Sequence, residues 1–211
     1  MQREESFVLH CGRSIDCELY YSEHAVAAET TSAPHYGLQL FDIVSRTFDI
    51  IIGTVGLIIS LPILVLFGIL IKIEDGGPVF YTQERVGLYG RHFTVYKLRS
   101  MRVDAEQNGA QWAEVEDSRV TKVGRFARKT RVDELPQFLN VLRGQMTLVG
   151  PRPERPEFVI KFDQETSGFV ERLQVKPGLT GWAQINGGYD ITPEEKLALD
   201  LYYIENRSPL M

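Results

Sequence analysis

Residues 50–71 read IIIGTVGLIISLPILVLFGILI, an uncharged run of 22 bounded by Asp49 and Lys72. As a straight helix it would be about 33 Å long, against a hydrocarbon core of about 30 Å, so it reads as a membrane anchor. It starts some fifty residues into the chain and is longer than the apolar region of a signal peptide, so it is not expected to be cleaved. Pro62 stands near its middle, where it deletes the hydrogen bond to the carbonyl of Ile58 and crowds the preceding turn; a kink is predicted there. The pieces on either side, residues 50–61 and 63–71, would be only about 18 and 14 Å long, short enough for a bent hairpin that enters and leaves one leaflet. Ser60 can bond back to a carbonyl one turn earlier. A kinked helix that crosses once is the reading favoured by physics alone, because proline is tolerated in such helices. Lys72, Arg85, Arg91, Lys97 and Arg99 follow the run and only Arg46 closely precedes it, which places the C-terminal domain in the cytoplasm.

The whole chain has 211 residues, 44% of them hydrophobic, with 18 glycines and a formal charge of −5, the profile of one ordinary domain plus additions rather than a collagen or low-complexity chain. Cys11 and Cys17 are the two cysteines and have no partner cluster, so neither a zinc site nor a disulfide core is indicated and a reducing compartment fits. The charge is uneven. Residues 1–49 carry 3 basic and 8 acidic side chains, whereas residues 79–131 carry 11 basic against 6 acidic. A basic block within an acidic chain suggests an anionic partner, either phosphate or lipid headgroup. Nucleic acid is disfavoured by the net charge and the membrane run.

Residues 1–40 show weak periodicity and read as a weakly ordered extension with one strand at Ser6 to His10. After the anchor, Val79-Phe80-Tyr81-Thr82, a turn from Gly87 to Gly90, and Phe93 to Leu98 predict a β-hairpin. Residues 120–129 place Val120, Val123, Phe126 and Ala127 at helical spacing with Lys122, Arg125, Arg128 and Lys129 on the other faces. Such a turn can lie at an anionic membrane surface, line a phosphate pocket, or simply be a solvated helix.

Three motifs carry chemistry. In Thr130-Arg131-Val132-Asp133-Glu134-Leu135-Pro136-Gln137, Asp133 is expected to cap a helix with Pro136 in its first turn. Two adjacent carboxylates then sit at a helix N-terminus flanked by Arg128, Lys129 and Arg131, a setting suited to divalent metal and phosphate: one carboxylate can hold magnesium and the other attack phosphorus. Simple capping, with Glu134 pointing to water, is the bland alternative. In Gly150-Pro151-Arg152-Pro153-Glu154-Arg155-Pro156, the prolines hold the backbone extended and present Arg152 as a preorganised phosphate ligand, unless the stretch is only a rigid connector. In Lys176-Pro177-Gly178-Leu179-Thr180-Gly181-Trp182-Ala183-Gln184-Ile185-Asn186-Gly187-Gly188, Trp182 is available for stacking and Gln184 or Asn186 for base or sugar recognition, although a lone Trp more often serves as core or interfacial anchor. No Walker loop or dinucleotide fingerprint is present.

These pieces, together with Lys97-Leu98-Arg99-Ser100-Met101, Leu148-Val149-Gly150 and Asp200-Leu201-Tyr202-Tyr203, resemble the bacterial sugar transferases, the monotopic polyprenyl-phosphate phosphoglycosyl transferases, from about residue 42 to the end. The resemblance implies an α+β fold: a mostly helical small cytoplasmic domain (74–211) with a short β-hairpin, anchored by a Pro-broken re-entrant membrane helix hairpin (41–73) with its break at Ser60 and Pro62. It implies transfer of a sugar 1-phosphate from a UDP-sugar to undecaprenyl (polyprenyl) phosphate, releasing UMP, on the cytoplasmic face of a bacterial inner membrane. Asp133 matches the nucleophile that forms an aspartyl phosphosugar, and Glu134 the ligand of the Mg2+ cofactor. Arg128 and Arg152 match residues that hold substrate phosphates, and Lys97 and Arg99 are grouped with them; Trp182 and Gln184, with Tyr189 and Asp190, are candidates for nucleotide or sugar contact. Two features depart from the family pattern. The serine and proline at the break, often adjacent in relatives, are separated as Ser60-Leu61-Pro62, and the chain stops at Met211 where relatives usually continue into a further hydrophobic helix, so a shortened chain or a missing terminal anchor is expected. The competing reading is a membrane-anchored, non-catalytic binding or scaffold protein. The identity of the sugar and the formation of a homo-oligomer stay open.

Overall fold

The structure, a computed structural model, describes residues 36–105, 107, 117–188 and 191–208, with side chains from residue 41 onward. The strand expected at residues 6–10, and Tyr189 and Asp190, lie outside the described residues.

Helix α1, Tyr36–Asp75, runs without interruption through Pro62. It begins inside the stretch expected as a weakly ordered extension. The pieces on either side of Pro62, expected as the arms of a bent hairpin or as one kinked helix, belong to one helical element: proline removes a single bond from a long ladder, and the turns on either side keep theirs. Ser60 is buried and its Oγ donates to the Leu57 carbonyl at 2.8 Å, the back-bond its position suggests. The segment Phe41–Asp75 is long and apolar enough to cross a membrane. Ile51, Val55, Ile58, Ile59, Val65, Leu66 and Ile69 project outward from it uncovered.

The opposite face of α1 packs on the rest of the molecule. A Cβ at Gly56 would stand 2.7 Å from the Phe138 ring, so the absence of a side chain there lets the domain approach the helix closely. Polar side chains fasten both ends of the apolar run to the same domain. Arg46 donates to the carbonyls of Val141 and Leu142 at 2.6 and 2.7 Å, and Asp49 accepts from Thr147 Oγ1 and the Leu148 amide at 3.0 and 2.8 Å. At the far end Glu74 accepts from the amides of Lys122 and Val123 at 2.8 and 3.2 Å, and Asp75 pairs with Arg99.

The expected hairpin is present as β1, Phe80–Val86, and β2, His92–Leu98, antiparallel in the register Phe80↔Leu98 to Val86↔His92. The expected basic helix is α2, Lys122–Lys129, whose cap Thr121 accepts from the Gly124 amide at 2.9 Å. A 3₁₀ helix, Val132–Gln137, runs straight into α3, Phe138–Leu142. Strand β3, Thr147–Val149, then pairs in parallel with β4, Gly178–Thr180, and the connection between them contains α4, Pro156–Glu165, and a second 3₁₀ helix, Phe169–Gln174. Helices α5, Trp182–Asn186, and α6, Pro193–Asn206, follow, the latter opened by a capping box of Thr192 and Glu195.

The described residues thus form an α+β arrangement, mostly helical with two small sheets. Apolar packing gathers in three places. Phe67 and Ile71 of α1 join Leu98 and Ala127; Phe93 and Val95 of β2 join Val141 and Met146; Val86 joins Val159, Phe162, Phe169 and Leu197. Strand β2 takes part in the first two, which makes it the floor between the membrane helix and α3.

Helix α2 lies so close to the end of β2 that a Cβ on Gly124 would fall 2.0 Å from the Ser100 carbonyl oxygen, a backbone atom that cannot swing aside. Gly124→Ala is expected to cost about 1–3 kcal/mol of stability, as overpacking does. A thermal melt of the detergent-solubilised protein checks this, and an unchanged Tm would contradict the packing.

Candidate active site

The chain reverses between α2 and the 3₁₀ helix at Arg131, a non-glycine residue held in the left-handed region at φ 58°. Arg131, rather than Asp133, occupies the cap position, and no side chain caps the 3₁₀ helix. The expectation that Asp133 caps is corrected here, because the helix starts earlier, at Val132. Asp133 and Glu134 still fall in its first turn, as expected, but neither faces water: they are 6% and 7% exposed.

Glu134 is the point where distant segments meet. Its carboxylate is bound by Arg152 from the proline-rich segment through both guanidinium Nη atoms, by Lys97 Nζ from β2 at 3.2 Å, and by Arg131 at 3.9 Å. Burial works to raise its pKa, but Arg152 and Lys97 outweigh burial and hold the carboxyl well below the usual carboxylate range. Asp133 behaves oppositely: burial, then the adjacent Glu134 charge, push it above that range, while Lys97, Arg128 and Arg152 pull it back. Its Oδ1 is buried without a hydrogen-bond partner, and so is Nε2 of Gln137, which is 2% exposed one turn further on.

Each cation is placed by its own element. Lys97 is held by β2, whose backbone is gripped by the buried Asn140: its Nδ2 donates to the Thr94 carbonyl at 2.7 Å and its Oδ1 accepts from the Tyr96 amide at 3.3 Å. Because Asn140 belongs to α3, this contact fixes the carboxylate-bearing helix against the lysine-bearing strand. Arg128 lies in the last turn of α2 and donates from Nε to Ser100 Oγ at 2.8 Å, close enough to Asp133 to act on its charge. Arg152 comes from the stretch between Gly150 and Pro156, which is neither helix nor strand and is extended at Arg155. Lys97, Gln137, Arg152 and Pro153 together with Arg85 and Val95 line a cleft.

The other sequence-predicted residues stand elsewhere. Arg99 is buried against Asp75 at the end of α1, with Nε and Nη1 unpartnered. Trp182 packs its ring on Tyr202 with centroids 5.6 Å apart, and Gln184 donates to the Leu179 carbonyl at 3.4 Å. Neither joins the hydrogen bonds and ion pairs that gather Lys97 and Arg152 on Glu134. Sequence reading missed Arg85 and Gln137. Gln137 lies four residues after Asp133, a polar residue entering an apolar helix, which was a usable signal; Arg85 is one charge among several on an alternating strand, which was not.

Among the described residues no three His, Cys, Asp or Glu side chains form a metal cluster. Magnesium does not need one, since it is held by one or two carboxylates while substrate phosphates and water complete its shell. The adjacent Asp133 and Glu134, the former with a buried unpartnered Oδ1 and both with Lys97 and Arg152 close by, fit that kind of site.

Residues 40–211 match the family model described as bacterial sugar transferase. The chain belongs to the bacterial sugar transferase family. A Bacillus subtilis (strain 168) protein, named provisionally as an undecaprenyl-phosphate N-acetylgalactosaminyl 1-phosphate transferase, is 55% identical over 130 residues, 62% of this chain and 73% of that relative. The UDP-N-acetylgalactosamine-undecaprenyl-phosphate N-acetylgalactosaminephosphotransferase of Aeromonas hydrophila is 44% identical over 172 residues, 80% of this chain and 41% of the relative. The UDP-glucose:undecaprenyl-phosphate glucose-1-phosphate transferase of Escherichia coli (strain K12) is 41% identical over 171 residues, 79% of this chain. The match spans 41% and 37% of the length of these last two relatives.

Burial, then the neighbouring Arg152, pull Lys97 down to about 8, with Glu134 opposing them. Acylation of Lys97 by an amine-selective reagent is therefore expected to rise through pH about 8, rather than through the ordinary lysine value of about 10.4. Glu134→Gln removes a partner that raises the pKa, so it should shift the midpoint lower. A midpoint at the ordinary lysine value would contradict the site's electrostatics.

Proposed function

We propose that this protein transfers a sugar 1-phosphate from a UDP-sugar to undecaprenyl or another polyprenyl phosphate, releasing UMP, through an aspartyl phosphosugar intermediate. The observation that carries the reading is the contrast within the carboxylate pair. Glu134 is locked by cations from three segments, while Asp133 beside it keeps a buried oxygen with no partner. A scaffold has no use for such an atom, which costs about 1–3 kcal/mol to leave unsatisfied.

In the first step an Asp133 carboxylate oxygen attacks the phosphorus that carries the sugar. The bond from that phosphorus to the bridging oxygen breaks, and UMP leaves with the electron pair. In the second step an oxygen of the lipid phosphate attacks the same phosphorus and the Asp133 carboxylate leaves, giving a sugar diphospho-lipid. Neither step needs a proton removed from the nucleophile, so an ionised Asp133 suffices, and its raised pKa keeps it a better nucleophile than an ordinary carboxylate. Arg152, Lys97 and Arg128 hold phosphate oxygens and offset the repulsion between carboxylate and diphosphate. Glu134 would hold the magnesium, which when bound supplies further charge neutralisation on the phosphates.

The anchor is read as re-entrant, with both ends cytoplasmic at a bacterial inner membrane. Arg46 and Asp49 before the apolar run, and Glu74 and Asp75 after it, bond to one folded domain. A helix that crossed about 30 Å of hydrocarbon would leave one of those pairs on the far side. The basic residues that follow the run favour the cytoplasm for that domain.

Incubation with a panel of UDP-sugars, magnesium and undecaprenyl phosphate should release UMP, and should leave a phosphosugar mass on Asp133 when the lipid is omitted. Asp133→Asn is expected to lower release by about 10³-fold or more, and a chelator should stop it. Magnesium-dependent release by the Asn variant at the wild-type rate would overturn the mechanism. For the topology, single cysteines introduced at Thr47 and Ile73 in a background with Cys11→Ser and Cys17→Ser should be labelled by an impermeant thiol reagent from the same side of sealed vesicles. Labelling from opposite sides would establish a crossing helix.

A further inference from the structure

The Asp200-Leu201-Tyr202-Tyr203 motif has no part in the chemistry described so far, and Asp200 and Arg172 are the most deeply buried ion pair in the described residues, 1% and 2% exposed. We propose that α6 is a positioning clamp for Arg152, acting on the backbone on either side of it through Lys196, Asp200 and Tyr203. The proposal rests on the reading of Arg152 as a ligand of the donor's phosphates.

The three residues are spaced four and three apart, so they share one face of α6. Tyr203 and Lys196 end directly on the segment from Val149 to Glu154, and Asp200 reaches it through Arg172. Tyr203 Oη donates to the Val149 carbonyl at 2.8 Å. Asp200 Oδ2 accepts from Arg172 Nε and Nη2 at 2.9 and 2.6 Å, and the same Nη2 donates to the Arg152 carbonyl at 2.8 Å. Lys196 pairs with the Glu154 carboxylate, whose other oxygen lies 3.5 Å from Arg85 Nη1; that nitrogen also donates to the Pro153 carbonyl at 3.1 Å. The backbone is thus held before, at and after Arg152, while the Arg152 guanidinium is left free to face Glu134.

A buried ion pair is a poor way to gain stability, since apolar residues of similar volume often do as well or better. This pair does something an apolar pair cannot: Arg172 bridges α6 to the Arg152 carbonyl. The prolines at 151 and 153 remove local freedom, and the clamp removes what remains of rigid-body movement. Misplacement of a phosphate ligand by about 1 Å can cost about 10²-fold in rate, so the clamp is worth its desolvation at this position.

The paired replacement Arg172→Met with Asp200→Leu tests this, because it keeps volume and leaves no buried charge unpaired. Tyr203→Phe removes one hydroxyl and serves as the milder variant. Both are expected to fold with wild-type helical content and to lower kcat/KM for UDP-sugar, the paired replacement by about tenfold or more and Tyr203→Phe by less. In the Arg152→Ala background the paired replacement should cause almost no further loss, whereas a merely structural role would give additive losses. Hydrogen exchange gives a readout independent of activity: amides of residues 149–154 should exchange faster in the paired replacement while those of α2 stay unchanged. Additive losses, or unchanged exchange at 149–154, would overturn the clamp. Absence of UMP release from wild type with every donor would refute the proposed activity, and the exchange measurement would still decide whether α6 restrains the segment.

Discussion

The Glu134 carboxylate, buried and shared by Arg152 and Lys97, is the interaction on which the rest of the site depends. A lone carboxylate at that depth would be expensive to ionise, and a lone Arg152 or Lys97 equally so; brought together they neutralise one another and bind three segments that are far apart in the chain. The cost of this arrangement falls on the neighbour. Asp133 is buried with the Glu134 charge beside it, and Lys97 and Arg152 are already engaged with Glu134. The site thus separates two carboxylates adjacent in sequence into one that is fixed and one that is available. Pairs of titratable groups pushed apart by their surroundings are the usual mark of a division of roles.

The membrane helix is part of the same construction rather than a tether attached to it. Its polar flanks cap the C-terminal carbonyls of α3 through Arg46 and hold β3 through Asp49, while its far end holds the start of α2 through Glu74. Each of those elements delivers or braces a site residue: α3 carries Asn140, which fixes β2 and Lys97; β3 leads into Arg152; α2 carries Arg128. In the proposed reaction this coupling has a direct use, because the acceptor's phosphate lies at the headgroup plane and the nucleophile has to be held at a fixed depth relative to it.

Much of this was legible in the chain. Alternation marked the hairpin, apolar spacing marked α2, and the adjacent carboxylates ahead of Pro136 marked a helix start, since these are local patterns with local causes. What was not legible has non-local causes. Nothing near residue 131 announces that a non-glycine residue adopts a positive φ and moves the helix start ahead of Asp133. Pro62 carries the usual signal for a break, yet one lost bond in a helix of 40 residues does not interrupt it. Trp182 reads in the sequence as available for stacking or as a core or interfacial anchor, and only the fold shows that Tyr202, twenty residues later, packs against its ring. The Arg172–Asp200 pair spans 28 residues and has no signature in either neighbourhood.

The basic block between residues 79 and 131 acquires a quantitative sense from this geometry. Around the carboxylate pair stand Lys97, Arg128, Arg131 and Arg152, so the protein's own groups there carry more positive than negative charge when all are ionised. Lys97, already pulled down to about 8 by burial and by Arg152, is the cation most easily lost. In the proposed reaction a diphosphate in the cleft would offset the repulsion between Lys97 and Arg152, the second cause of that lowering after burial, and part of the affinity for the donor would come from this. The same excess repels any cation that lacks phosphates of its own. In the proposed reaction Asp133 would thus meet the donor in a site whose excess positive charge is balanced by the donor's own phosphates.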